Sequence, residues 1–222
     1  MQRIRGERPR LLDLFCGAGG AAMGYNMAGF EVIGVDNTKQ PHYPFHFIKA
    51  DAVEYAVAHA QDYHAVHASP PCQRWSVMTP KTHRANHPDL IVDTRRILSQ
   101  KCECWVIENV EGARTQLIQP LMLCGSMFGQ RFRRHRYFEI NTPSPTPTLI
   151  LTPGCRHLDK CVLITDHGAS AFNGHPRKRT PVAIKREAIG IDWMTEAELS
   201  QAIPPTYTKF IGEYLLTQIN NL

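Results

Sequence analysis

The 222-residue chain lacks any long hydrophobic run. No stretch approaches the ~20 continuous apolar residues of a bilayer-spanning helix, which excludes a helical membrane span. The opening Met1-Gln2-Arg3-Ile4-Arg5-Gly6 has no apolar core of a secretory leader, so a soluble, cytoplasmic protein with no membrane partner is the expectation. A paired-cysteine framework is missing too. The seven cysteines are an odd number, spread across apolar strands and loops. Without a leader, that argues for reduced thiols rather than disulfides. The chain also has no internal repeat and no disordered tail. Strong net charge is absent, at a formal +5.

What charge there is clusters. Arg131, Arg133, Arg134 and Arg136 fall in one short segment. Arg177, Lys178, Arg179, Lys185 and Arg186 form a second group with no acid among them. Such clusters suit a phosphate backbone; the alternative is a solvated basic face. Cys155-x-His157-x3-Cys161 offers three zinc-ligand types in a small loop, with His167 or a remote Cys as a fourth. The spacing matches none of the usual paired-ligand frameworks, so no metal is expected. Cys102-x-Cys104 opens an apolar strand, where alternation predicts both thiols on one face.

With 43% hydrophobic residues the chain can bury the core of one α/β domain. Short β-branched or aromatic runs at 10–15, 30–35, 45–48, 64–68, 104–108 and 136–140 predict strands. Helices are predicted at 21–28, 53–59 and 88–99, with a short one near 115–121. This alternation implies a doubly wound, mostly parallel sheet, a Rossmann-like α/β fold with ligands beyond the carboxyl ends of the strands. A proline-punctuated connector, Asn141-Thr142-Pro143-Ser144-Pro145-Thr146-Pro147-Thr148, interrupts it. An irregular stretch follows, then helices at 182–189, 196–202 and 207–219. The last carries Phe210, Ile211, Tyr214, Leu215 and Ile219 on one stripe. The expected division is a core over 1–140, a connector region over 141–187 and closing helices over 188–222.

Three motifs sit at predicted strand ends. Phe15-Cys16-Gly17-Ala18-Gly19-Gly20 follows a strand and opens a helix, and its glycines allow a tight turn and close approach to a ligand. It is not a dinucleotide fingerprint, because Ala22 stands where Gly-x-Gly-x-x-Gly needs its last glycine. Asp36 and Asp51, ending the second and third strands, suit ribose hydroxyls and an adenine amino group; the alternative is a tight turn with helix-capping acids. Cys72 follows Pro70 and Pro71, which stiffen the backbone and fix where the thiol points. A thiol so placed suits a nucleophile, the alternative being a small buried apolar residue. Glu108 closes the apolar run Trp105-Val106-Ile107, where burial raises a carboxyl pKa and allows a protonated donor. Structural pairing with an arginine is its alternative role.

In their order, the Phe-Cys-Gly-Ala-Gly-Gly loop, Pro70-Pro71-Cys72-Gln73 and Glu108-Asn109-Val110 resemble the motifs of the DNA (cytosine-5)-methyltransferase family. Arg134-x-Arg136-x-Phe138 is similar to its Arg-x-Arg segment. Ala202-Ile203-Pro204-Pro205 is similar to its Asn-Ala-Val-Pro-Pro segment, with Gln201 in the Asn position. The likeness covers residues 11–140 and 188–219. It implies an S-adenosylmethionine-dependent methyltransferase fold, S-adenosylmethionine as cofactor and duplex DNA, with a flipped cytosine, as partner. The implied cofactor contacts are Phe15 (stacked on adenine), Gly17, Gly19, Gly20, Asp36, Asn37, Asp51, Ala52 and Pro70. The implied catalytic residues are Cys72, Glu108, Arg134 and Arg136, with Asn109 bracing the loop that bears Cys72. By that mechanism Cys72 adds to cytosine C6, Glu108 protonates N3, and C5 takes the methyl group.

The middle departs from the family. Sequence-reading members insert a long recognition domain where this chain has only residues 141–187. Specificity is then short or relaxed, or is supplied by a partner. Compact methylases of phages and prophages have this form. Beside DNA methylation stand the same chemistry on RNA or a cytidine nucleotide, a catalytically idle nucleic-acid-binding protein, and a nucleotide-dependent oxidoreductase. Intact Cys72 and Glu108 count against the idle reading, and the glycine spacing against the oxidoreductase.

Overall fold

The computed structural model describes residues 7–71, 90–143, 154–155, 162, 164 and 180–221. Seven strands form one sheet: β1 Arg10–Leu14, β2 Glu31–Asp36, β3 His46–Lys49, β4 Ala65–Ala68, β5 Trp105–Asn109, β6 Leu121–Leu123 and β7 Arg136–Asn141. Their order is β3-β2-β1-β4-β5-β7-β6. The first five run parallel, while β7 lies antiparallel to both β5 and β6. The carboxyl ends of β1 to β5 therefore share one edge, where the motifs stand.

Central strands are buried on both faces, as their unbroken apolar runs require. Leu11, Val32, Ala65 and Val106 face one core layer; Leu12, Ile33, Val66 and Ile107 face the other. Helices α1 Gly20–Ala28 and α6 Pro205–Asn220 cover the first face, and α2 Ala52–His59 and α3 Leu90–Lys101 cover the second. The predicted α6 stripe is realised by Ile211 and Leu215, fully buried, flanked by half-buried Phe210 and Tyr214. Contact between α1 and α6 is close because glycines face it. A Cβ on Gly24 would lie 2.1 Å from the Pro205 carbonyl oxygen, and one on Gly212 would lie 2.8 Å from the Ala28 Cβ. Helices α4 Val182–Ile189 and α5 Glu196–Gln201 precede α6, and α5 starts with a capping box between Thr195 and Glu198.

Three expectations are corrected. Residues 115–121 are no helix: a 3-10 turn at Glu111–Gln116 leads into β6. Gln119 takes φ +44, Pro120 follows it, and the Ile118 amide bonds the Glu139 carboxylate instead of a helical carbonyl. Cys102 and Cys104 part to opposite layers, because both precede β5 in the turn after α3, where strand alternation does not hold. Lys185 and Arg186 belong to no basic face. Lys185 is 1% exposed and pairs with Glu196 at 2.8 Å, while Arg186 bonds the Met194 carbonyl. The buried ammonium acquires its counter-ion from the start of α5, which fixes α4 against it. Arg177, Lys178 and Arg179 lie outside the described residues. Among the described residues, no helix is long and apolar enough to cross a membrane.

Candidate active site

The loop after β1 is shaped by unusual backbone. Phe15, Gly17 and Gly19 have φ of +56, +48 and +86. Left-handed backbone is inexpensive for the glycines and strained for Phe15, whose ring packs half-buried against the α2–α3 layer. Gly19 caps α1 with no side-chain acceptor, so the first amides of the helix receive none from their own cap. The space a Cβ of Gly17 would take has no atom within 4 Å, whereas one on Gly20 would lie 2.6 Å from the Ile203 carbonyl oxygen. The loop thus opens on one side and packs on the other against the segment before α6. Trp193 adds a second tie, donating its indole N–H to the Ala18 carbonyl at 2.9 Å.

Asp36 ends β2 and accepts from the Gly17 amide at 3.1 Å and the Thr38 amide at 2.9 Å. It therefore holds the glycine loop as well as facing the strand edge. Asn37 is exposed and its side chain accepts from the Thr38 hydroxyl. Asp51 caps α2 through one oxygen, which accepts from the Val53 and Glu54 amides, and Ala52 is buried behind it. Asp13 is a further acid, inside β1 and fully buried, and neither carboxylate oxygen has a hydrogen-bond partner. Burial and then the charge of Asp36 push its pKa well up. An acid held neutral and without a partner beneath an open glycine loop suits a ligand with polar hydrogen-bonding groups.

The second half of the site lies at β4 and β5. Pro70 is buried, and its carbonyl accepts from Asn109 Nδ2 at 3.0 Å. Cys72, two residues on, lies outside the described residues. Glu108 is 6% exposed at the end of β5. Burial raises its pKa, opposed by Arg136, Arg134 and a hydrogen bond from Ser69. Arg136 Nε stands 3.0 Å from Glu108 Oε1. Arg134 is buried and donates to the Ser200 carbonyl at 2.8 Å, while its own carbonyl accepts from Tyr207. Of the two arginines, Arg136 meets the acid directly, and Arg134 also joins β7 to the segment leading into α6.

Sequence reasoning overlooked a buried polar chain behind Glu108. Tyr25 Oη lies 3.0 Å from His67 Nδ1, and His67 Nε2 lies 2.8 Å from Ser69 Oγ. Burial brings the His67 pKa down to about 3, so the imidazole is neutral. With Ser69 donating to ionised Glu108, consistent donation runs from Tyr25 to Nδ1 and from Nε2–H to Ser69. The signal was present in the sequence as polar His67 inside the apolar strand Ala65–Ala68.

The sequence profile described as C-5 cytosine-specific DNA methylase matches residues 10–119. Type II methyltransferase M.HgiGI of Herpetosiphon aurantiacus is 32% identical over 121 residues, covering 49% of this chain and 96% of that protein. M.HgiDI of the same organism is 31% identical over 121 residues, 49% of this chain and 39% of that one. Among solved structures, Entamoeba histolytica methyltransferase EhMeth superposes with a TM-score of 0.62 at 15% identity, over 95% of this chain and 98% of that one. S. pombe Dnmt2 methyltransferase gives 0.61 at 12%, over 96% and 100%. These two likenesses are of fold and extend past the residues the profile matches. The matching profile and the 32%-identical relative, with the glycine loop, the buried acid and the paired arginine at one sheet edge, lead to one conclusion: the chain belongs to the C-5 cytosine-specific DNA methylase family.

Proposed function

We propose that this methylase transfers a methyl group from S-adenosylmethionine to C5 of cytosine in duplex DNA, through a covalent bond between Cys72 and C6. The observation that carries the reading is Glu108, a buried carboxyl raised in pKa at a strand end, with Arg136 at 3.0 Å and Pro70, two residues before Cys72, tied to the same strand end through Asn109.

The residues at β1 to β3 fit S-adenosylmethionine. Gly17, Gly19 and Gly20 would cradle its amino-acid end, Phe15 would pack on the adenine, and Asp36 and Asp51 would meet the ribose and the adenine amine. Asn37, Ala52 and Pro70 would line the remainder. Asp13, buried beneath the loop without a hydrogen-bond partner, offers a neutral carboxyl to a polar group of the ligand. When bound, the cofactor supplies an electrophilic methyl group on a sulfonium.

Cytosine C5 is too weak a nucleophile without activation. The Cys72 thiolate forms a bond to C6, and protonated Glu108 gives its proton to N3, which neutralises the charge displaced into the ring. C5 then has enamine character and takes the methyl group. Loss of the C5 proton to water expels the Cys72 thiolate from C6, and N3 returns its proton to the Glu108 carboxylate, which restores the neutral ring. Arg136 holds the Glu108 carboxyl in place between proton transfers, and Asn109 fixes the approach of the Cys72 loop. The base must leave the helix stack for this geometry. Residues 141–187 form a reduced recognition region between the core and closing helices, so the target sequence is short or is set by a partner.

Duplex DNA carrying 5-fluorocytosine tests the covalent step, because fluorine blocks loss of the C5 proton. With S-adenosylmethionine, a denaturation-resistant protein–DNA species should form and be absent in Cys72→Ser. An adduct of equal yield in the variant would remove Cys72 from the chemistry.

A further inference from the structure

We propose that Cys124, His135 and Cys155 form a zinc site that fastens the chain beyond β7 to the β6–β7 edge of the sheet. Cys124 directly follows β6 and His135 directly precedes β7. The register pairs Leu123 with Arg136, so Cys124 and His135 stand just past the end of that antiparallel ladder, one from each strand. Cys155 arrives from beyond the proline-rich connector. Its Sγ stands 3.4 Å from His135 Nε2. The Ser126 hydroxyl lies 3.5 Å from the Cys124 sulfur and 3.4 Å from the Cys155 sulfur.

The three ligand atoms all fall within 4.8 Å of one another. Zinc bonds of about 2.3 Å to sulfur and 2.0–2.1 Å to nitrogen, at tetrahedral angles, place ligand atoms about 3.5–4 Å apart. Small side-chain movements therefore close the triad around one ion. Two thiolates and an imidazole select zinc over magnesium or calcium, which prefer oxygen. Among the described residues no other group of three His, Cys, Asp or Glu side chains converges in this way. Cys124 is buried, whereas His135 and Cys155 are only half-buried, which leaves a path for the ion. Each thiol releases its proton to solvent as the sulfur–zinc bond forms.

Expectation from sequence grouped Cys155 with His157 and Cys161, which lie outside the described residues. The fold brings Cys155 to Cys124 and His135, upstream in the chain. The consequence reaches the active site, because Arg134 and Arg136 flank His135 and meet the last segment and Glu108. A zinc clamp here fixes the arginine segment and anchors the chain that occupies the place of a recognition domain. The inference stands on the triad alone and holds whatever base the enzyme methylates.

The full-length protein, purified under reductant, is assayed for zinc content and then reconstituted with cobalt after chelation. One zinc per chain is expected, with thiolate-to-cobalt charge-transfer absorption in the near ultraviolet. Cys124→Ser, Cys155→Ser and His135→Ala should each lose stoichiometric zinc, while Cys102→Ser keeps it. Wild-type protein that binds neither ion overturns the proposal, whether or not the variants fold. So does zinc retained undiminished in the Cys124→Ser and Cys155→Ser proteins, or a Cys124–Cys155 disulfide in place of metal under reductant.

Discussion

Asn109 at the end of β5 donates to the Pro70 carbonyl at 3.0 Å, and its own oxygen accepts from the Val110 amide at 2.9 Å. One buried side chain thereby joins the strand end bearing Glu108 to the backbone leading into Cys72. Asn109→Ala leaves a buried carbonyl without its donor, at a cost of about 1–3 kcal/mol. Misplacement of the Cys72 loop should lower kcat by about 100-fold. S-adenosylmethionine affinity, measured by calorimetry, should change little. A variant with wild-type kcat would mean that Pro71 and its neighbours hold the loop unaided.

Ser69 tempers the upward shift of the Glu108 pKa. Its hydrogen bond lowers the carboxyl pKa, against the larger upward effect of burial. On the proposed mechanism Glu108 acts while protonated, so methyl transfer should decline as pH rises through its pKa. Ser69→Ala removes the bond, raises that pKa further and moves the alkaline limb of the kcat/KM profile to higher pH. A purely structural role would lower the whole profile without moving the limb.

His67 links stability to pH. Its folded pKa of about 3 lies below the ordinary 6.5, so between these values the unfolded chain binds a proton that the folded chain refuses. Its contribution is complete above pH 6.5 and is lost as pH falls toward 3, by up to about 1.4 kcal/mol per pH unit. Asp13, with its raised pKa, contributes with the opposite sign, so the difference between wild type and His67→Asn isolates the imidazole. Urea unfolding across this range should give a shallower acid slope for the variant. Parallel curves would show a histidine that titrates freely.

Gly24→Ala tests the contact between α1 and α6. The new methyl group would meet the Pro205 carbonyl oxygen at 2.1 Å, and backbone on both sides offers little relief. Overpacking of this kind costs about 1–3 kcal/mol. A lowered Tm with weaker cofactor binding is expected, because the segment before α6 packs on Gly20 of the ligand loop. An unchanged Tm would mean that the two helices separate without penalty.

The sheet was legible in the chain where apolar runs were long and buried on both faces, as in β1, β2 and β5. Strand β6 was hidden, since three residues after Pro120 carry too short a pattern to separate from a helix end. Its existence depends on pairing with β7, a contact remote in sequence. The glycine loop and Glu108 could be read from local motifs, because their backbone demands are local. The chain from Tyr25 through His67 to Ser69, and the convergence of Cys124, His135 and Cys155, arise only when separate elements meet. Lys185 shows the converse: its charge suggested a phosphate contact or a solvated face, but the start of α5 buries it against Glu196.

The central claim is tested most directly by tritiated methyl transfer from S-adenosylmethionine to duplex DNA, tRNA and dCMP in parallel, with the product identified by mass spectrometry. Label should enter duplex DNA as 5-methylcytosine, and Cys72→Ser should abolish it. Label confined to tRNA or dCMP, or none in DNA despite bound cofactor, would contradict the account.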